Sequence, residues 1–317
     1  MDICVLDRAS MGEDTPFDSI YKFGNVKIYD STSPEQINER VLDADVIITN
    51  KVKITDSVIT SAKKLKLICV FATGFDNIDL VSARKNGVAV CNVPGYSTDS
   101  VALMTVSTAL SLYSHLNEYK NYVKSGDYSA SGIANKLTPV FHELKGKCWG
   151  IVGFGNIGRA VAKVADAFGM KILVNKRTPI SDFECVDIET LCQNSDIISL
   201  HCPLNDGTRE IINKKMLNLM KKDAILVNEA RGAVVDESAV AQAILDEKIG
   251  GFGCDVYTVE PFGKDHPYTK IMGLPNVILT PHAAWGAYEA RVRCVTTIAN
   301  NIEAFLKNNT LNRVDLL

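Results

Sequence analysis

The stretch Cys148-Trp-Gly-Ile-Val-Gly153-Phe-Gly155-Asn-Ile-Gly158-Arg-Ala-Val-Ala162 decides the fold. It starts as an apolar run, turns on G-x-G-x-x-G, and continues as helix-compatible sequence to about Gly169. A second Val/Ile run, Lys171–Asn175, follows. Strand, glycine turn, helix, strand is the order of a βαβ unit that cradles a pyrophosphate. Gly153 allows the tight turn, Gly155 lets a phosphate approach the backbone, and Gly158 lets helix and strand pack closely. The helix start at Asn156 and Ile157 adds free N–H donors and the positive end of the helix dipole. These five residues predict a dinucleotide site. A glycine-rich packing turn alone would not need all three contexts.

In NAD sites an acidic residue about 20 positions after the first glycine holds the ribose 2′-OH. Here that place is Asn175, followed by Lys176 and Arg177. Two cations suit a 2′-phosphate, with Arg the better clamp by its planar fork. The expected cofactor is NADP in preference to NAD.

The same rhythm extends along the chain. Val- and Ile-rich runs alternate with polar, helix-compatible segments at Ile3–Asp7, Val26–Tyr29, Asp45–Thr49, Leu67–Ala72 and Val88–Val93. The rhythm resumes at Cys148–Gly153, Lys171–Asn175, Asp196–Cys202, Ala224–Asn228, Gly251–Val256 and Val277–Thr280. Continuous apolar runs mark strands covered on both faces, hence parallel sheets wrapped by helices. The prediction is an α/β fold: two doubly wound, Rossmann- or flavodoxin-like parallel-sheet domains with a cleft between them. Ser100–Lys124 predicts one long amphipathic helix and Ser125–Lys136 a polar loop, together a linker, lid or oligomerisation arm. Ala287–Lys307 predicts a helix long enough to return to the first unit. The expected domains are residues 1–98 with 286–317, and residues 99–285.

The 317 residues carry 34 basic and 37 acidic side chains, a net charge of −3, with 46% apolar residues. That balance leaves no electrostatic footprint for nucleic acid or an anionic membrane. No apolar run reaches the ~18 residues of a membrane span. The N-terminus lacks the basic n-region of a signal peptide. Nine cysteines stand as singletons with no C-x-x-C pair. That spacing points to a reducing cytoplasm, without a disulfide framework or a metal site.

Three strand ends in the second half carry polar residues: Asn228-Glu-Ala-Arg231-Gly232, Asp255-Val-Tyr-Thr-Val-Glu260-Pro261, and Thr280-Pro-His282-Ala-Ala-Trp285. Neighbouring strand ends of a doubly wound sheet converge on one crevice. Arg231, Asp255, Glu260 and His282 can meet there. An Arg binds a carboxylate through two parallel hydrogen bonds. A His can hand a proton to an oxygen as hydride arrives at carbon, and a carboxylate beside it favours the imidazolium.

With these motifs the chain resembles the D-isomer-specific 2-hydroxyacid dehydrogenases over essentially its whole length. The carrying residues are Gly153 to Gly158, Cys202-Pro203-Leu204-Asn205, Thr208-Arg209, Arg231-Gly232, Asp255 with Glu260-Pro261, and Pro281-His282. The resemblance implies a catalytic set of Arg231, Glu260 and His282. It implies cofactor contacts at Cys202, Pro203 and Thr208, with Asp255 near the nicotinamide. It implies that Ala72-Thr73-Gly74 presents backbone N–H groups to the substrate carboxylate, and that the protein is a homodimer with 100–136 at the interface. Asn92-Val-Pro-Gly-Tyr-Ser-Thr-Asp-Ser-Val101 and His282-Ala-Ala-Trp285 resemble the glycerate dehydrogenase, or hydroxypyruvate reductase, branch, which puts Trp285 beside the substrate. The implied reaction is reduction of hydroxypyruvate or glyoxylate to D-glycerate or glycolate.

The chain departs from the family's pattern at Asn175-Lys176-Arg177, at Leu103-Met104 in place of a polar pair, and at Glu229 in place of a small residue. An apolar pocket at Leu103 and Met104 would favour pyruvate, 2-ketoisocaproate or phenylpyruvate. A dinucleotide-sensing protein without turnover is the rival of another class.

Overall fold

Every Val/Ile run of the sequence overlaps a strand in the computed structural model, which describes all 317 residues. The chain divides into two units, Met1–Ser97 with Gly286–Leu317, and Thr98–Trp285. The first unit opens with β1 (Asp2–Val5), α1 (Asp18–Tyr21), β2 (Asn25–Ile28), α2 (Ile37–Val41) and β3 (Val46–Thr49). It continues with α3 (Asp56–Ser61), β4 (Leu67–Val70), α4 (Leu80–Lys85) and β5 (Ala89–Cys91). Its sheet has the order β2-β1-β3-β4-β5 with all pairs parallel, the flavodoxin-like winding. Every residue of β3 and β4 is buried, which is why those runs do not alternate with polar residues.

The second unit begins with α5 (Thr98–Tyr113), α6 (Leu116–Lys124) and α7 (Asp127–Ser131). Then come β6 (Cys148–Val152), α8 (Asn156–Ala167), β7 (Lys171–Asn175), β8 (Glu184–Cys185), α9 (Ile188–Asn194) and β9 (Ile197–Leu200). α10 (Lys214–Leu219), β10 (Ile225–Asn228), α11 (Glu237–Leu245), β11 (Gly251–Cys254) and β12 (Val277–Leu279) complete it. The order β12-β11-β10-β9-β6-β7-β8 is that of two mononucleotide-binding halves, reversing between β6 and β9. Alternate residues feed opposite faces. Trp149, Ile151, Ile225 and Val227 pack with Ala109 and Leu112 of α5 and Val161 of α8. Val152, Ile198, Leu226 and Phe252 pack with Leu191, Met216 and Val240 of α9, α10 and α11.

The last helix, α12 (Tyr288–Leu306), belongs to the first unit. Its Asn301 donates from Nδ2 to the Asn92 carbonyl at 2.9 Å, and Val314 N–H donates to the Val90 carbonyl at 2.9 Å, so the chain end closes on β5.

Two local expectations are corrected. The long helix predicted over Ser100–Lys124 is broken into α5 and α6, because His115 takes a left-handed conformation (φ 54°). Ser114 meanwhile turns its hydroxyl back on the Leu110 carbonyl. The predicted loop over Ser125–Lys136 contains α7, bracketed by left-handed Gly126 and Gly132. The strands also stop short of the apolar runs. Gly153, His201–Cys202, Asp255–Val256 and Thr280 leave the sheet at its carboxyl edge, where the candidate site residues gather.

Candidate active site

The turn after β6 is built by three glycines with three different tasks. Gly153 has φ 87°, and a Cβ there would lie 2.5 Å from the Cys202 nitrogen, so the exits of β6 and β9 touch backbone to backbone. A Cβ at Gly158 would meet the Gly153 carbonyl oxygen at 2.5 Å, which fixes α8 against its strand. At Gly155 a Cβ would meet nothing within 4 Å. That open space lies at the N-terminus of a twelve-residue helix whose first turn has no side-chain cap, and it suits a pyrophosphate. At the end of β7 Asn175 spends its Nδ2 on the Val186 carbonyl at 2.9 Å. Lys176, half-buried, and Arg177, exposed, enter no hydrogen bond or ion pair with the protein.

At the other end of the sheet, His282 follows Pro281 in a left-handed conformation (φ 54°), and its Nδ1 lies 2.6 Å from Glu260 Oε2. An ionised carboxylate only accepts, so Nδ1 carries the proton and Nε2 is left for a reacting oxygen. The second oxygen of Glu260 accepts from the Tyr257 N–H at 2.9 Å. The turn bearing His282 is tied down by Asp255, which is 1% exposed. Its Oδ1 accepts from the Thr280 hydroxyl at 2.5 Å and the Ala283 N–H at 2.8 Å, and its Oδ2 from the Ala284 N–H at 2.8 Å. Tyr257 adds a bond from its hydroxyl to the Thr280 carbonyl at 2.8 Å.

Exposed Arg231 sits on the neighbouring loop. Fully buried Asn228 folds that loop: its Oδ1 accepts from Ala230 N–H at 3.1 Å and its Nδ2 donates to the Arg231 carbonyl at 2.9 Å. Gly232 brings the two loops together, since a Cβ there would lie 2.1 Å from the Tyr257 carbonyl carbon. The structure therefore joins Arg231, Glu260 and His282 through one connected set of strand-end loops.

A paired imidazole and carboxylate, an exposed guanidinium and a glycine turn suited to phosphate, on one doubly wound sheet, are the parts of a hydride-transfer site. Residues 106–284 match the model of the D-isomer specific 2-hydroxyacid dehydrogenase, NAD binding domain. The chain belongs to the D-isomer specific 2-hydroxyacid dehydrogenases. Among its relatives, a glycerate dehydrogenase from Methylorubrum extorquens is 38% identical over 290 residues, covering 91% of each chain. A glyoxylate reductase from Thermococcus litoralis is 39% identical over 299 residues, 91% of this chain and 89% of that one. A solved acyclic imino acid reductase in complex with NADPH and D-arginine is 31% identical, with a TM-score of 0.85 over 99% of this chain and 100% of the other. D-2-hydroxyisocaproate dehydrogenase is 26% identical, with a TM-score of 0.87 over 99% of this chain and 100% of that one. The dehydrogenase thus uses a nicotinamide dinucleotide and acts on a small molecule.

In this dehydrogenase the other residues singled out from sequence fall as follows. Thr208 accepts Asn205 N–H and donates to the Pro203 carbonyl at 2.6 Å, shaping the loop after buried Cys202. In the first unit Ala72-Thr73-Gly74 is anchored to the exit of β5. Val93 N–H reaches the Ala72 carbonyl, the Thr73 hydroxyl reaches the Val93 carbonyl, and Asn92 Nδ2 reaches the Thr73 carbonyl. The Thr73 and Gly74 N–H groups take no part in those bonds. Half-buried Trp285 follows the turn that Asp255 holds. On α5, Leu103 is exposed and Met104 half-buried.

Sequence reasoning missed the supports. Glu237 accepts the Thr258 N–H at 2.9 Å and lies 3.1 Å from His266 Nε2, bracing the Glu260 loop from α11. In sequence Asp236-Glu237 reads only as a helix start, and the helix-start signal does not name a partner 29 positions on.

Proposed function

We propose that this dehydrogenase reduces hydroxypyruvate to D-glycerate or glyoxylate to glycolate, with NADPH as the preferred reductant. The observation that carries the reading is the His282–Glu260 pair, 2.6 Å apart, with Nε2 free of the carboxylate. When bound, the cofactor supplies a hydride to the carbonyl carbon. Arg231 grips the substrate carboxylate by paired hydrogen bonds. His282 gives the proton on Nε2 to the carbonyl oxygen, and Glu260 holds the ring by accepting from Nδ1. In the reverse direction Nε2 takes the proton back.

The open space at Gly155 and the uncapped start of α8 suit the pyrophosphate, with Cys202, Pro203 and Thr208 along the same edge and Asp255 toward the nicotinamide end. The preference for NADPH rests on Lys176 and Arg177, two cations without a protein partner at the end of β7. That the imino acid reductase of similar fold was solved with NADPH supports it. The names of the relatives support the choice of substrate.

Initial rates of cofactor oxidation with hydroxypyruvate, glyoxylate, pyruvate, 2-ketoisocaproate and phenylpyruvate, each with NADPH and NADH, test the reading. Hydroxypyruvate or glyoxylate leading with NADPH is the expected result. A bulky apolar acid leading overturns the substrate and turns attention to Leu103 and Met104. An NADH preference overturns the role of Lys176 and Arg177. Tight dinucleotide binding without turnover on any acid points to a sensing protein.

A further inference from the structure

One buried carboxyl is used by none of these steps. Glu229 is the first residue beyond β10, between Asn228 and the Arg231 loop, and is 8% exposed. Neither of its oxygens has a hydrogen-bond partner. A buried polar group left unsatisfied costs free energy, more so when charged, so a retained one invites a partner from outside the chain. Its place is informative. The half-sheet β9 to β12 is the second mononucleotide-binding half, and the carboxyl edge of that half takes the nicotinamide end of a dinucleotide.

The charged and titratable groups around it are few. Asp255, on the exit of β11, is committed to Thr280, Ala283 and Ala284. The Cys254 thiol and the Tyr257 phenol are both pushed up by burial and stay neutral at pH 7. Arg231, two residues on, donates from Nη1 to the Ala230 carbonyl. Burial, with the Asp255 charge second, pushes the Glu229 carboxyl up to about 8. Glu229 is therefore mostly protonated at neutral pH, in a place where a fixed positive charge would ionise it.

We propose that Glu229 couples the redox state of the cofactor to proton binding: its carboxyl releases its proton when the cationic, oxidised nicotinamide binds, and keeps it beside the neutral, reduced ring. The inference rests on the dinucleotide reading above and adds a role to this edge of the site. The balance is simple. Binding of the oxidised cofactor to the protonated enzyme yields a carboxylate–pyridinium contact and one proton to solvent. Binding of the reduced cofactor yields none. Linkage then makes oxidised-cofactor affinity rise up to about tenfold per pH unit below the titration of free Glu229, with little change for the reduced form.

Isothermal titration calorimetry of the full chain tests it, using NADP⁺ and NADPH, with NAD⁺ and NADH in parallel. Titrations at pH 7 in PIPES and in Tris, buffers of different ionisation enthalpy, count the protons released. Wild type should release about one proton more with the oxidised than with the reduced cofactor. Glu229→Gln should abolish that difference and weaken the oxidised form relative to the reduced. Glu229→Thr serves in the same way if the Gln variant does not fold. An equal proton count in wild type and variant, or none in either, overturns the inference while leaving the cofactor reading intact. No binding heat with any of the four dinucleotides overturns the cofactor reading itself and this inference with it.

Discussion

In this dehydrogenase the side chains proposed to react and the one that holds their turn differ in burial. His282 and Glu260 are partly exposed, while Asp255 is buried with three donors satisfied. Asp255→Asn puts an amide NH₂ against one of those N–H donors. It should cost about 1–3 kcal/mol, read as a lower Tm, and loosen the His282 turn so that kcat falls more than KM changes. An unchanged Tm would contradict the tether. Glu229 gives the pH dependence. Its folded carboxyl titrates near 8, against an ordinary 4.5 in the unfolded chain. Between those values the folded state holds the extra proton, so stability falls as pH rises through that window and levels off above it. Glu229→Gln should therefore raise Tm by ~2 °C or more at pH 8.5 and leave it unchanged at pH 4.5. Differential scanning calorimetry at both pH values decides this, and equal shifts would contradict the buried-carboxyl account.

Elements place these residues by ending where they do. β6, β9, β11 and β12 stop one or two residues before their apolar runs end, and Gly232 locks two of the strand-end loops together. Gly232→Ala forces backbone apart at Tyr257. It should destabilise by about 1–3 kcal/mol and lower kcat together with Tm, measured on the purified variant. A stable, fully active variant would refute the lock. What could be read from sequence follows from the range of each interaction. Fully buried strands leave continuous apolar runs, and the phosphate turn leaves fixed glycine spacing, so both were legible. That Arg231, Glu260 and His282 lie beyond strand ends was legible because polar residues interrupt apolar runs. The braces were not: Asn228 to the Arg231 carbonyl, and Glu237 to Thr258 and His266, depend on folded geometry that no local pattern records. The break at His115 escaped notice because one left-handed residue barely alters helical periodicity.

For the whole molecule, two expectations remain to be measured. The segment 100–136 exposes Leu103, Leu116, Val123, Tyr128 and Ile133, apolar surface that a monomer rarely keeps without use. We propose that it is a dimer interface. Light scattering should give twice 34.6 kDa at working concentration, and a monomer would refute it. The central claim is that His282, held by Glu260, is the proton donor of a 2-keto acid reductase. The most direct measurement is the initial rate of NADPH oxidation with hydroxypyruvate, wild type beside His282→Ala, with NADPH affinity measured on both. The account predicts a loss of kcat of ~10² to 10⁴ with cofactor affinity within a few-fold of wild type. A variant that turns over within a few-fold of wild type would contradict it.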